Sequence, residues 1–183
     1  MANPVIATAY DFTGIGHLVD VAGGHGSLLA AILRANPHLH GTLFDLPSVI
    51  AGAREESGLQ ASDLAGRLTF AEGSFFEAVP DGGDAYLLKW ILHDWQDAEA
   101  RQILATCRRA MVPGKRVLLA EMVITPGNSP FMGKFLDLSM LTIVGGRERT
   151  RAEYEHLLVA SGFRLSRVIP TALPYSIVEG IAV

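Results

Sequence analysis

Several residues able to do chemistry lie at or just beyond the ends of apolar runs in this 183-residue chain. Asp20 sits inside His17-Leu18-Val19-Asp20-Val21, immediately before the glycine-rich turn Ala22-Gly23-Gly24-His25-Gly26. Asp45 ends the next such run, Gly41-Thr42-Leu43-Phe44-Asp45, ahead of Leu46-Pro47. A glycine-rich turn between strand and helix lets backbone amides approach a ligand closely, with the helix N-terminus facing it. An acid at the position of Asp45 can accept hydrogen bonds from both hydroxyls of a ribose. Asp20 favours a cationic, amino-bearing ligand over a pyrophosphate. Two structural roles stand beside these: Asp20 as a buried acid bonded to loop amides, and Asp45 as a cap for the helix entered through Pro47.

The turn does not read as a dinucleotide site. Counted from Gly24 and Gly26, the third small residue of that fingerprint falls on Leu29. Counted from Ala22 and Gly24, it falls on Ser27, and the first glycine is then missing. No Gly-Lys-Ser/Thr follows, so a P-loop is excluded. What remains suits a ligand with ribose, adenine and an amino group but no phosphates.

A second set lies further on. His93 follows the fourth apolar run, at the end of the sheet where open α/β folds place their ligands. An imidazole changes charge near neutral pH and can take a proton from a phenol. It could instead cap the next helix or pack under Trp95. Glu121 ends an apolar strand, an expensive place for an unpartnered charge; a structural salt bridge is its other reading. Glu148 lies between Arg147 and Arg149, where a surface acid would look the same. His93, Asp94 and Asp97 cluster in sequence, but His17, His25, His38, His40 and His156 provide no ligand spacing with them, so no metal site is expected. Trp90, Phe131, Met132, Leu136 and Met140 are candidate walls of an acceptor pocket, since aromatic and Met side chains fit flat substrates, although core packing would use the same types.

The elements that must position these residues alternate strand, turn and helix throughout, the pattern of a largely parallel sheet covered on both faces. Strands are expected at 17–21, 41–45, 67–70, 85–88 and 116–120. The first helix carries Leu28, Leu29, Ile32 and Leu33 and stops at Asn36-Pro37. Another opens near Asp97, read as its N-cap, buries Ile103, Leu104, Cys107 and Met111, and stops at Pro113-Gly114. The apolar stretch from Phe131 to Val144 reads as a helix, and the run Arg147–Arg151 as a solvated helix start. Phe163–Ile169 and Tyr175–Val183 close the chain as an antiparallel pair, because their link is too short for a crossover. Neither a repeat nor a linker interrupts this, so one domain over residues 1–183 is expected.

Bulk properties narrow the partners. A formal charge of −4 gives no electrostatic case for nucleic acid. No uncharged apolar stretch is long enough to span a membrane, and Met1-Ala2-Asn3-Pro4 has no signal-peptide character. The single Cys107 suits a reducing compartment, so a cytoplasmic protein is expected.

Taken as a motif, Leu88-Lys89-Trp90-Ile91-Leu92-His93-Asp94-Trp95 resembles the centre of the plant-type (caffeate, flavonoid and hydroxyindole) O-methyltransferase family and its bacterial antibiotic-pathway relatives. Four further segments agree in order: Asp20–Gly26, Phe44-Asp45-Leu46-Pro47, Leu119-Ala120-Glu121, and Gly145–Thr150. The resemblance implies S-adenosylmethionine as cofactor, S-adenosylhomocysteine as product and a small phenolic acceptor. It implies a Rossmann-like α/β fold with a seven-stranded, mostly parallel sheet and one antiparallel strand. It makes His93 the general base, Glu121 and Glu148 the acids that hold and polarise its ring, and no metal necessary. Asp20, Gly24, Gly26, Asp45, Leu46, Ser74, Phe75 and Lys89 become the cofactor-binding set, with Asp45 on the ribose and Ser74 and Phe75 at the adenine.

Three departures stand against the family pattern. Ala22 replaces a frequent glycine and is expected to narrow the loop slightly. Ser74 replaces a frequent aspartate, which should weaken cofactor binding by about 1 kcal/mol. The family's N-terminal helical domain, which forms its homodimer and covers part of the acceptor pocket, is not in this sequence; the expectation is a catalytic domain alone. Rival readings are a relative diverted to decarboxylation or hydroxylation, and a non-catalytic cofactor-binding or interaction module.

Overall fold

The computed structural model describes residues 2–56, 58–125, 127, 132–133, 137 and 145–183. Helix α1 (Ala2–Ala9) leads into β1 (His17–Val21), α2 (Ser27–Ala35), β2 (His40–Asp45), α3 (Pro47–Glu55), β3 (Leu68–Glu72) and β4 (Ala85–Lys89). A single 3-10 turn (Leu92–Asp94) precedes α4 (Asp97–Arg109), β5 (Arg116–Glu121) and the short β6 (Val123–Ile124). The chain closes with β7 (Arg149–Thr150), α5 (Arg151–Ala160), β8 (Phe163–Pro170) and β9 (Ser176–Ala182).

Seven strands form one sheet in the order β3-β2-β1-β4-β5-β9-β8. Pairings from β3 through β5 are parallel. Strand β9 inserts antiparallel between β5 and β8, so it alone runs against the others. The expected single antiparallel strand is therefore present.

Alternation along each strand splits the core into two layers. Leu18, Leu87, Leu118 and Ala120 join Leu28, Leu29, Ile32 and Leu33 of α2 and Ile50 of α3 on one face. Val19, Val21, Tyr86, Leu88, Val117 and Leu119 join Ile103, Leu104 and Cys107 of α4 and Tyr154 and Leu157 of α5 on the other. These strands are buried on both sides, which is why they read as nearly continuous apolar runs.

Chain order reverses between β1 and β4: β2 and β3 lie to one side, β5 to the other. Such a reversal opens a crevice at the carboxyl ends of the strands. The turn after β1, the end of β2, the 3-10 turn after β4 and the end of β5 all meet there. The β6–β7 pair is parallel, with Val123 opposite Arg149, and it draws Glu148 toward the end of β5.

Two expectations need correction, and one element is new. Helix α1 was not anticipated from the sequence, yet Ile6 and Ala7 are buried in the α2 layer. Gln96, not Asp97, is the N-cap of α4, and it makes no side-chain cap bond; the Asp97 carboxylate is drawn off by Arg149. The Arg147–Arg151 run is not a solvated helix start throughout, because Arg149 is fully buried; Thr150 and Glu153 cap α5 reciprocally instead. The helix expected over 131–144 lies largely outside the described residues. Among the described residues, no helix is long and apolar enough to cross a membrane.

Candidate functional site

His93, Glu121 and Glu148 come from three separate segments, and one donor atom of each lies within 4.8 Å of the others. The 3-10 turn after β4 presents His93, whose Nδ1 lies 3.0 Å from Oε1 of Glu148. Its Nε2 lies 3.3 Å from Oδ1 of Asp94. Glu121, fully buried at the end of β5, accepts the backbone N–H groups of Ile91 and Leu92 through Oε1, at 3.1 and 2.9 Å. It thus fixes the turn that carries His93. Among the described residues, the second oxygens of Glu121 and Glu148 are buried without a hydrogen-bond partner.

Electrostatics follow from that burial. Burial pushes the Glu121 carboxyl up to about 7, against the opposing pull of His93. For His93, burial acts to lower the pKa, but the hydrogen bond to Glu148 and the charges of Glu121, Glu148 and Asp94 outweigh it, and the net direction is upward. Glu148 is buried, so it is not the surface acid its arginine neighbours suggested. Among the described residues Glu121 makes no salt bridge; backbone amides hold it.

His93 and Glu148 open onto a cavity of about 190 Å³ with Trp90, Met122 and Tyr175. The Trp90 and Tyr175 rings lie 5.1 Å apart. Trp90 adopts φ 55°, a left-handed conformation that a bulky residue reaches only under strain. Of the other expected walls, Met132 is exposed and does not line this cavity, and Phe131, Leu136 and Met140 lie outside the described residues. Met122 and Tyr175 carried no local sequence signal. Tyr175 arrives from the β8–β9 link, about 80 positions away in the chain.

Two further cavities flank the glycine turn and share Ala22. One, of about 240 Å³, is lined by Phe44, Asp45, Leu46, Gly73, Ser74, Phe75, Phe76 and Trp95. It is a largely aromatic slot: Phe75, Phe76 and Trp95 meet edge to face. Asp45 stands at its rim, accepting the Gly24 N–H through Oδ2 and the Leu46 N–H through Oδ1, each at under 3 Å. Asp45 therefore ties the turn to β2 and does not cap α3, whose N-cap is Leu46. Each carboxylate oxygen keeps a lone pair for a ligand. The Ser74 hydroxyl accepts the Phe76 N–H at 3.3 Å.

The other cavity, of about 200 Å³, is lined by Asp20, Gly23, Gly24, Ser27, Leu28 and Lys89. Asp20 is buried with Oδ2 unpartnered among the described residues, and burial pushes its carboxyl up to about 7 while the Lys89 charge opposes this. A Cβ on Gly23 would lie 2.6 Å from that oxygen, so only glycine leaves the space open. Lys89 donates to Asn3 at 3.1 Å and lies over the Trp90 ring, and Asn3 donates to Ser27 at 2.8 Å. Helix α1 thereby ties together Ser27 and Lys89, two residues of this lining, a contribution the sequence did not disclose. Gly24 lines the cavity, whereas Gly26 does not: it is the left-handed N-cap of α2, packed against Leu43 and Leu59. Ala22 also turns through φ 55°. A side-chain-bearing residue at that angle carries backbone strain, an effect separate from the narrowing expected.

A family model described as an O-methyltransferase domain matches residues 1–164. Phenazine O-methyltransferase PhzM of Lysobacter antibioticus is 44% identical over 174 residues, covering 95% of this chain and 50% of its own. Aclacinomycin 10-hydroxylase RdmB of Streptomyces purpurascens is 41% identical, covering all of this chain and 50% of its own. NcsB1, an O-methyltransferase from neocarzinostatin biosynthesis crystallised with S-adenosylmethionine and 2-hydroxy-5-methyl naphthoic acid, is 39% identical with a TM-score of 0.87, over 97% of this chain and 52% of its own. The chain thus spans about half the length of the curated relatives it matches.

Proposed function

Because the chain belongs to the O-methyltransferase domain family, we propose that it is the catalytic domain of an enzyme moving a methyl group from S-adenosylmethionine to a phenolic oxygen on a small aromatic molecule. The observation that carries this reading is the 3.0 Å pair of His93 and Glu148, opening onto a cavity walled by Trp90 and Tyr175, with Lys89 of the Asp20 cavity lying over the Trp90 ring.

The residues present fit the cofactor. The aromatic slot at Phe44, Phe75 and Trp95 suits an adenine, and Asp45 at its rim suits the ribose diol. Asp20, with an unpartnered buried oxygen, suits an ammonium, and Lys89 across the same cavity suits a carboxylate. Ser74 offers the adenine edge an uncharged acceptor. When bound, the cofactor supplies a sulfonium-activated methyl group and departs as a neutral thioether.

The protein's remaining tasks are positioning and proton removal. Glu148 accepts a hydrogen bond from Nδ1–H of His93, which places the lone pair of the neutral ring on Nε2, where it can act as base. In the resting arrangement Nε2 faces Asp94, so an acceptor hydroxyl entering the cavity takes that place. Nε2 then receives the phenolic proton as the oxygen attacks, and the buried carboxylates of Glu148 and Glu121 stabilise the imidazolium. Holding both reactants in line accounts for several kcal/mol of the barrier. No step calls for a metal ion, because the methyl donor is already activated.

The test uses label-bearing S-adenosylmethionine with a panel of hydroxynaphthoic acids and other phenols, and calorimetry with S-adenosylhomocysteine. His93→Ala should keep cofactor affinity and lose methyl transfer; undiminished transfer would remove the general-base role. The 41% identity to a protein named as a hydroxylase favours a second reading, in which the methyl stays on the cofactor. Label appearing in the product excludes it.

A further inference from the structure

Arg149 is buried to 0% exposure and lies next in sequence to Glu148. Such burial of a guanidinium needs a reason, since leaving water is costly for a charge unless partners replace it. Its partners explain its place. Nη1 donates to the Leu92 carbonyl at 2.7 Å, and Nη2 donates to the Trp95 carbonyl at 2.8 Å. These two carbonyls bracket His93 and Asp94. Nε and Nη2 both donate to Oδ1 of Asp97 at the start of α4, at 3.0 and 2.9 Å. One planar fork therefore grips both sides of the turn that carries His93, while its own backbone in β7 carries the neighbour of Glu148.

The segment before Arg149 is fitted to the same turn. Arg147 donates its backbone N–H to the His93 carbonyl at 2.8 Å. A Cβ on Gly146 would lie 1.9 Å from that carbonyl oxygen, so the two strands of chain are in direct backbone contact. Nothing about the cofactor cavities requires Arg149, which lines none of the three cavities described above.

We propose that Arg149 is a positioning residue for the proton-accepting histidine: its buried guanidinium locks the Leu92–Trp95 turn to the Glu148 segment and so sets the His93–Glu148 distance. This rests on the reading of His93 as general base. A lysine cannot reproduce the fork, because a single ammonium does not present parallel N–H groups to two carbonyls and a carboxylate. Loss of the lock leaves His93 in the cavity but lets its ring drift from Glu148.

Arg149→Lys is to be compared with the wild-type protein by side-chain nitrogen NMR of His93, assigned with His93→Gln, and by methyl-transfer kinetics. Asp97→Ala, at a half-exposed position, removes the oxygen that takes two of the guanidinium's bonds; it is the second variant and decides the question if Arg149→Lys does not fold. The expected result is a titration midpoint for His93 moved downward, because the Glu148 bond that raises it is loosened. The turnover number should fall by up to about 100-fold, the scale of an ångström of misplacement, with KM for S-adenosylmethionine within a factor of two or so. A folded variant with the wild-type His93 midpoint and wild-type turnover overturns the proposal. His93→Ala separates the two levels: if it is inactive while Arg149→Lys behaves as wild type, only the positioning role fails.

Discussion

Replacing Glu121 by Gln should make the protein relatively more stable as the pH rises. Glu121 is fully buried, its Oε1 satisfied by two backbone amides and its Oε2 by no group among the described residues. Burial carries its carboxyl from 4.5 to about 7. The folded state therefore holds this proton over a pH range in which the unfolded chain releases it. Stability from that proton is present below 4.5 and is lost as the pH rises through about 7. At about 1.4 kcal/mol per tenfold change, the whole penalty is about 3 kcal/mol, of which about 2 accumulates between about pH 5 and about pH 8. Gln keeps the acceptor oxygen and never ionises. The gap in stability between Glu121→Gln and wild type should then shift by about 2 kcal/mol in favour of the variant across that interval. For a chain of this size that is roughly 4–8 °C in Tm. Thermal unfolding of both proteins at the two pH values measures it. Any constant offset from the new amide cancels, and so does the similarly raised Asp20, which both proteins share. A Tm difference that is the same at both pH values would refute the argument from burial.

Three other changes test separate parts of the site. Asp45→Ala should weaken S-adenosylhomocysteine binding by about 1.5–3 kcal/mol, the loss of a charge-assisted hydrogen bond, and titration calorimetry reads this directly; unchanged affinity would place the ribose elsewhere. Ala22→Gly should raise stability by up to about 1 kcal/mol, since the left-handed turn costs a side-chain-bearing residue about 1–2 kcal/mol and glycine's added freedom returns part of it; a lower Tm would contradict the strain at φ 55°. Gly146→Ala should depress methyl transfer far more than cofactor affinity, because its methyl would have to displace the His93 carbonyl; kinetics and calorimetry on one sample separate these.

The parts of the fold that the sequence disclosed are those in which burial on both faces dictates composition. β1, β2, β4 and β5 are apolar runs for that reason, and α2 and α4 show their buried stripe at helical spacing. Helix α1 escaped because its Ala-rich turns bury little beyond Ile6 and Ala7, and Pro4 near its start reads as a break as easily as a helix entry. The site divides the same way. Asp20, Asp45 and Glu121 lie at the carboxyl ends of strands and His93 just beyond one, so the strand pattern locates them at the crevice. Glu148 and Arg149 do not: they sit in a charged run that resembles a solvent-facing segment. Their burial is decided by the β6–β7 pairing and by carbonyls more than 50 residues away. Tyr175 likewise enters its cavity through a hairpin link whose direction no local pattern specifies. The left-handed φ angles of Ala22 and Trp90 are conformational facts with no signature in residue type.

The central claim is that one imidazole, braced by Glu148 and Glu121, faces the oxygen to be methylated. A crystal structure with S-adenosylhomocysteine and a hydroxynaphthoic acid tests it most directly. The thioether sulfur should lie between the glycine turn and the Trp90–Tyr175 cavity, with the acceptor hydroxyl about 2.6–3.2 Å from His93 Nε2 in the place Asp94 now holds. An acceptor bound with its hydroxyl turned away from His93, or a cofactor seated outside the Asp20–Asp45 cavities, would contradict it.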